Sequence, residues 1–247
     1  MGHRDDQFWG EFLGIAPSEW ASEGVCVRAH VGLAGYLGLW CFRHRARTVV
    51  SAPAGWAGPL TAKLDGCDQD TLFDETFLEK LIGADFEQMI GPVFQGCLEA
   101  ERFRSAPSAY VRFVGPNDSV AVERFQSECG ADAWESGGLG QVKQHLMACF
   151  DNERITAMAG YRPWNDVAGD PCVLTHPDCR RRGYGTVVVS AVVAAALEEG
   201  KLLLYQTLEG NRGAVQIALN LGYEQYGRHV AVRLRRESPS HPPLQQT

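Results

Sequence analysis

The sequence is poor in the patterns that announce metal, nucleic-acid or membrane proteins. Its 8 cysteines form no Cys-x-x-Cys pair, and neither they nor its 7 histidines show ligand spacing, so no metal site is expected. Basic residues are outnumbered, 23 Lys and Arg against 30 Asp and Glu. The net charge of -7 lacks the basic face that a nucleic-acid backbone requires, so nucleic acid is excluded as the main partner. No apolar run approaches ~20 residues, so no membrane-spanning helix is expected. Met1-Gly2-His3-Arg4-Asp5-Asp6 leads into no apolar leader core, and Asp6 stands where a myristoylation signal needs Ser or Thr. These absences lead us to expect a cytoplasmic protein. No Gly-Lys-Ser/Thr ends a phosphate loop, no Gly-x-Gly-x-x-Gly fingerprint occurs, and no internal repeat is legible.

What is present is an ordinary globular composition, 247 residues with 45% hydrophobic and 21% charged, enough for one large domain or two small ones. The chain is organised around the stretch from Cys172 to Thr186. It reads as a short buried strand, a turn containing Pro177, three arginines (Arg180, Arg181, Arg182), then Gly183, Tyr184, Gly185 and Thr186 opening a long apolar helix. The first amides of a helix lack internal partners and its dipole makes that end partly positive. Glycine permits close approach or positive φ, and arginine adds forked donors. The combination makes a phosphate or pyrophosphate site. A basic turn capping a buried helix is the other reading of the same residues.

Along the chain, residues 7–14 space Phe8, Trp9, Phe12 and Leu13 as one face of a helix. Strands are expected over 25–29, 36–42 and 48–51, the last two as a hairpin, and helices over 58–65 and 74–83 with Asp74 as cap. Gly91-Pro92 and Gly96 punctuate the next stretch, and Arg104–Ser108 is the best linker. Beyond it, 109–114 alternates as a strand, and a helix follows Asn117-Asp118 with Val120, Val122 and Phe125 inward. Val142, Leu146 and Cys149 continue at helical spacing. Residues 155–164 read as a central strand, 165–170 as a polar loop and 171–175 as the strand entering the arginine loop. The helix from Gly183 to about Glu199 is rich in Val, so burial must hold it. A strand over 202–208, a helix over 211–221 and a strand over 231–234 close the pattern.

The stretch from Leu174 to Thr186 resembles motif A of the GNAT N-acetyltransferase superfamily, whose Arg/Gln-x-x-Gly-x-Gly/Ala loop cradles the pyrophosphate of acetyl-CoA. Asn211-Arg212-Gly213-Ala214 through Leu221-Gly222-Tyr223 is similar to motif B. The resemblance covers about Tyr110 to Leu234. It implies an α/β (α+β) fold, a GNAT-like mixed central sheet flanked by helices over residues 106–236. A smaller α/β domain over 1–105 would precede it, either a degenerate GNAT-like half or an unrelated cap, and 237–247 would be a disordered tail.

The resemblance further implies acetyl-CoA as co-substrate, no metal, and transfer to a primary amine of a small molecule or peptide. The protein would be a monomer or homodimer. Backbone groups of Leu174 and Thr175 would hold the pantetheine between two parallel strands, 171–175 and 202–208. The loop from Arg180 to Thr186 would take the pyrophosphate, and Asn211 would hold the pantetheine arm or a nearby backbone group. Many members place a tyrosine seven residues after the motif-B Asn as general acid, and here that position is Ala218. Tyr205 is the possible substitute, and Asp170 or Glu135 the candidate base. The alternative is a CoA-binding sensor with the fold but no turnover.

Overall fold

The computed structural model describes residues 3–142, 145–164 and 166–235. The segment 237–247, expected as a disordered tail, lies outside the described residues. In chain order the elements begin with α1 His3–Leu13, β1 Gly24–Ala29, β2 Gly38–His44, β3 Arg47–Ala52, α2 Ala54–Lys63, α3 Glu75–Ile82 and β4 Phe86–Leu98. They continue with β5 Val111–Phe113, α4 Ser119–Cys129, α5 Ala131–Ser136, β6 Met147–Asp151, β7 Arg154–Trp164 and β8 Ala168–Thr175. The last are α6 Tyr184–Glu198, β9 Leu202–Leu208, α7 Arg212–Asn220 and β10 Glu224–Leu234.

The chain divides into two compact units, residues 94–226 with 3–5 and residues 6–93 with 227–235. The stretch Arg104–Ser108, expected as a linker, lies inside the first. There the Arg104 amide donates to the Leu221 carbonyl at 2.9 Å and the Ala106 amide to Ser190 Oγ at 2.8 Å. The division falls within β4 instead. That strand runs through Gly91-Pro92 and Gly96, where the sequence promised a break, because strand pairing outweighs the turn preference of isolated Gly and Pro.

In the unit of residues 6–93 and 227–235, the strand order is β1-β3-β2-β10. β1 and β3 run parallel, from Gly24 opposite Arg47 to Ala29 opposite Ala52. β2 and β3 form the expected hairpin, turned at Arg45 with φ 54. β10 lies antiparallel to β2 over Arg228–Arg233 and starts well before the expected 231. Asp74 caps α3 as anticipated, its Oδ1 accepting the Phe77 amide at 2.8 Å. Leu60, Leu72, Leu78 and Ile82 from the helical segments pack on Leu39, Cys41 and Val50 of the strands.

In the unit of residues 94–226 the strand order is β4-β9-β8-β7-β6-β5. α6 and α7 cover one face: Val188, Val189, Val192 and Val193 are fully buried against Ala157, Ala159, Leu203 and Tyr205. That burial is what makes a helix of a Val-rich segment. Phe125, Leu139 and residues of α4 and α5 cover the other face, against Met158, Cys172 and Leu174. Phe125 is inward as expected, but Val120 is 75% exposed. Asp118 does not cap α4; its carboxylate takes the Gly115 amide and both arms of Arg112, which holds it down at about 2. Cys149 is on strand β6, not on a helix, because the second helix of this face is the short α5 instead.

Candidate active site

β8 is paired with β7 along its whole length, from Ala168 opposite Trp164 to Thr175 opposite Ala157. Its parallel pairing with β9 is far shorter, Ala168 with Leu202 and Gly169 with Leu203. Beyond Gly169 the two strands part. Pro171 contributes to the break because it has no N–H to offer a ladder. The gap opens into a cleft of about 940 Å³, walled by Val173, Leu174 and Thr175 on one side and Gln206, Thr207 and Leu208 on the other. That size suits a ligand as large as a coenzyme.

One end of this cleft is the start of α6. Arg181 and Gly183 both stand at positive φ, 61 and 85, the left-handed backbone from which anion-binding nests are built. No side chain caps Gly183, so the first amides of α6 keep no partner within the helix. Arg180, Arg181, Gly183, Tyr184, Gly185 and Thr186 all line the cleft; Arg182 is exposed and does not. A Cβ on Gly185 would come within 3.0 Å of Thr175 Oγ1 and Ile217 Cδ1, so glycine there keeps helix, strand and cleft in close register. These features fit a pyrophosphate: bare amides at a helix start, left-handed backbone at Arg181 and Gly183, and arginines that make no ion pair among the described residues.

Behind the loop stands a buried polar support that the sequence did not disclose. His176, 4% exposed, accepts the Asp178 amide on Nδ1 at 3.2 Å and so fixes the turn Pro177–Cys179. Its Nε2 lies 3.2 Å from Glu128 at the end of α4, and Arg154 of β7 reaches Glu128 and Asp178 at 3.5 and 3.4 Å. The partners come from three separate elements, so no local pattern could have found them.

At the strand split a second, smaller cavity of about 180 Å³ meets the cleft. Ser136, Gly137, Val173, Gln206, Thr207 and Asn211 line both. Glu135, on the exposed end of α5, lines the small cavity together with Gln141 and Arg162. Asp170 does not line it. The Asp170 carboxylate is 1% exposed: Oδ2 accepts from Arg162 Nη2 at 2.8 Å and Oδ1 accepts the Gln206 amide at 3.0 Å. Burial raises its pKa, and the Arg162 charge and the two hydrogen bonds oppose that rise. Tyr205 forms part of the wall, but its hydroxyl is enclosed, with no partner among the described residues, and burial raises its pKa. The Tyr205 ring meets Tyr223 edge-on at 5.3 Å. Ala218 is fully buried in the same cluster. Asn211 lines both cavities, and its Oδ1 holds a nearby backbone group, one of the two expected roles: it caps α7 by accepting the Ala214 amide at 3.3 Å. Burial lifts the Cys172 thiol to about 11, so it stays protonated at neutral pH.

The parted parallel strands and the uncapped helix start agree with the sequence comparison, in which residues 116–223 match the acetyltransferase (GNAT) family. The segment 116–223 is matched as a GNAT acetyltransferase domain. Among solved structures, a GNAT-family acetyltransferase from Colwellia psychrerythraea aligns with a TM-score of 0.51 and 13% identity, over 64% of this chain and 61% of that one. The chain thus spans about three-fifths of that relative, and the likeness is one of fold. A GCN5-related N-acetyltransferase from Kribbella flavida aligns at 0.46 and 15% identity, over 73% and 79%. A Salmonella typhimurium protein solved with acetyl-CoA aligns at 0.37 and 14%, over 54% and 97%. No curated protein sequence matches the chain. The matched segment lies wholly within the unit of residues 94–226 and contains the lining of both cavities. Among the described residues no helix is long and apolar enough to cross a membrane.

Proposed function

We propose that the GNAT domain transfers an acetyl group from acetyl-CoA to a primary amine of a small molecule or peptide. The observation that carries this reading is the continuity of the two cavities at the strand split: an anion-ready helix start at one end, a small polar pocket with a carboxylate at the other. Acetyl-CoA supplies an acyl thioester. The pyrophosphate belongs on the amides of α6 and on Arg180 and Arg181. The edges of β8 and β9, with Leu174 and Thr175, hold the pantetheine as an added strand would be held.

The acceptor then occupies the small cavity. Its neutral nitrogen attacks the thioester carbonyl carbon, the C–N bond forms and the C–S bond breaks. The nitrogen gives up one proton and the departing sulfur leaves as thiolate or takes a proton from solvent. A thiol pKa near 8.5 makes that sulfur a tolerable leaving group without a dedicated acid. Glu135 is the proton acceptor in this reading, being the exposed carboxylate of the small cavity. Holding both reactants at the split supplies the rest, since proximity lowers such barriers by several kcal/mol.

Release of thiol from acetyl-CoA, measured across a panel of amines, tests the proposal. Acceptor-dependent turnover is expected, with Glu135→Gln slower by ~10²–10⁴-fold. Acetyl-CoA binding without turnover on any amine would favour the second reading, a CoA sensor. The observation on its side is that the Tyr205 hydroxyl is enclosed and Ala218 offers no acid.

A further inference from the structure

Asp170 is placed to do something other than catalysis. If the ladder between β8 and β9 continued in its starting register, Asp170 would face Leu204, Pro171 would face Tyr205 and Cys172 would face Gln206. The Gln206 amide would then seek a β8 carbonyl. It donates instead to Asp170 Oδ1 at 3.0 Å, a side chain reaching across from two positions earlier. Pro171, next in line, offers no donor to draw the strands together. The other carboxylate oxygen is pinned by Arg162, the cross-strand neighbour of Asp170 on β7, at 2.8 Å. The side chain is thus tied at both ends and almost fully buried.

We propose that Asp170 is the strut of the split: its carboxylate substitutes for the missing ladder, satisfies the Gln206 amide, and holds β9 away from β8 at the width the cleft requires. Asp170 is a positioning residue for the CoA cleft and not the proton acceptor. The role explains why a buried, doubly bonded carboxylate stands at the one point where a central parallel pair comes apart. A regular pairing there would close the wall formed by Val173 and Gln206, which both cavities share. The consequence for CoA rests on the function proposed above, whereas the strut itself can be tested without any ligand.

The experiment joins amide hydrogen exchange with calorimetry of CoA on the full chain. In the free wild type the Gln206 amide should be protected from exchange, and Asp170→Ala should lower that protection at least about tenfold, since the acceptor is gone. Asp170→Asn keeps an oxygen for the Gln206 amide but turns an NH2 toward the Arg162 guanidinium, so it should restore part of the protection. CoA affinity should follow the same order, with Asp170→Ala about tenfold or more weaker and Asp170→Asn between it and the wild type. The pH–rate profile of Asp170→Asn should keep its shape. An unprotected Gln206 amide in the wild type overturns the strut. So does a folded Asp170→Ala with native protection, or an Asp170→Asn that binds CoA normally and loses the basic limb, which would make Asp170 the base. Should Asp170→Ala not fold, the Gln206 amide of the wild type and of Asp170→Asn decides alone. A wild type that does not bind CoA removes the functional reading and leaves the exchange result standing.

Discussion

Gly183 offers the sharpest probe of the anion site, because the structure separates its backbone from its side-chain cost. It stands at φ 85, and a Cβ built there meets nothing within 4 Å. Any loss on substitution therefore comes from backbone strain or from charge, not from a clash. Alanine should lose about 1–2 kcal/mol through the left-handed backbone. Asparagine and aspartate tolerate that conformation better and have the same shape, so their difference isolates charge. A unit charge about 5 Å from a pyrophosphate carrying about two charges costs about 1.7 kcal/mol in a water-like dielectric. Gly183→Asp should therefore bind CoA about 15-fold more weakly than Gly183→Asn at low salt. The gap should narrow as salt is raised, since the site is open to solvent. Calorimetry with CoA, and with pantetheine as the control that lacks the pyrophosphate, measures both terms. Equal CoA affinity in the two variants would refute the placement of the anion, and so would an equal loss for pantetheine.

Two further outcomes concern His229 and residues 1–105. His229 is buried, stacked on Trp40 at 4.2 Å, and burial lowers its pKa from 6.5 to about 3. The unfolded chain binds the proton first as pH falls. Stability should be complete above pH 6.5 and decline between there and about 3, at up to ~1.4 kcal/mol per pH unit for one proton. Urea unfolding at several pH values, compared with His229→Phe, checks this: an unchanged slope in the variant would assign the acid sensitivity to other groups. Removal of residues 1–105 should cause aggregation, because it deletes both strand neighbours of β10, β2 and β4, and uncovers Val230 and Val232. Light scattering that reports a soluble monomer would contradict that account.

The sequence by itself determined the local parts of this protein. The Arg-x-x-Gly-x-Gly run marked the helix start and its bare amides, since glycine and arginine state their purpose at one position in the chain. Asp74 set the start of α3, because a cap depends on a few adjacent residues. The candidates Glu135, Asp170 and Tyr205 could be named from their neighbourhood but not told apart. Only the tertiary structure decided that Glu135 faces a cavity, that Tyr205 is enclosed and that Asp170 is tied to Arg162 and Gln206. Arg162 lies eight residues from Asp170 and Gln206 thirty-six, so their meeting is a matter of register between strands. The same holds for Arg154 and Glu128 behind His176, and for β4, which pairing carried through a Gly-Pro that reads locally as a stop. Local preference selects helix, turn and cap. Which strand neighbours which, and where two of them part, is set by burial over the whole unit.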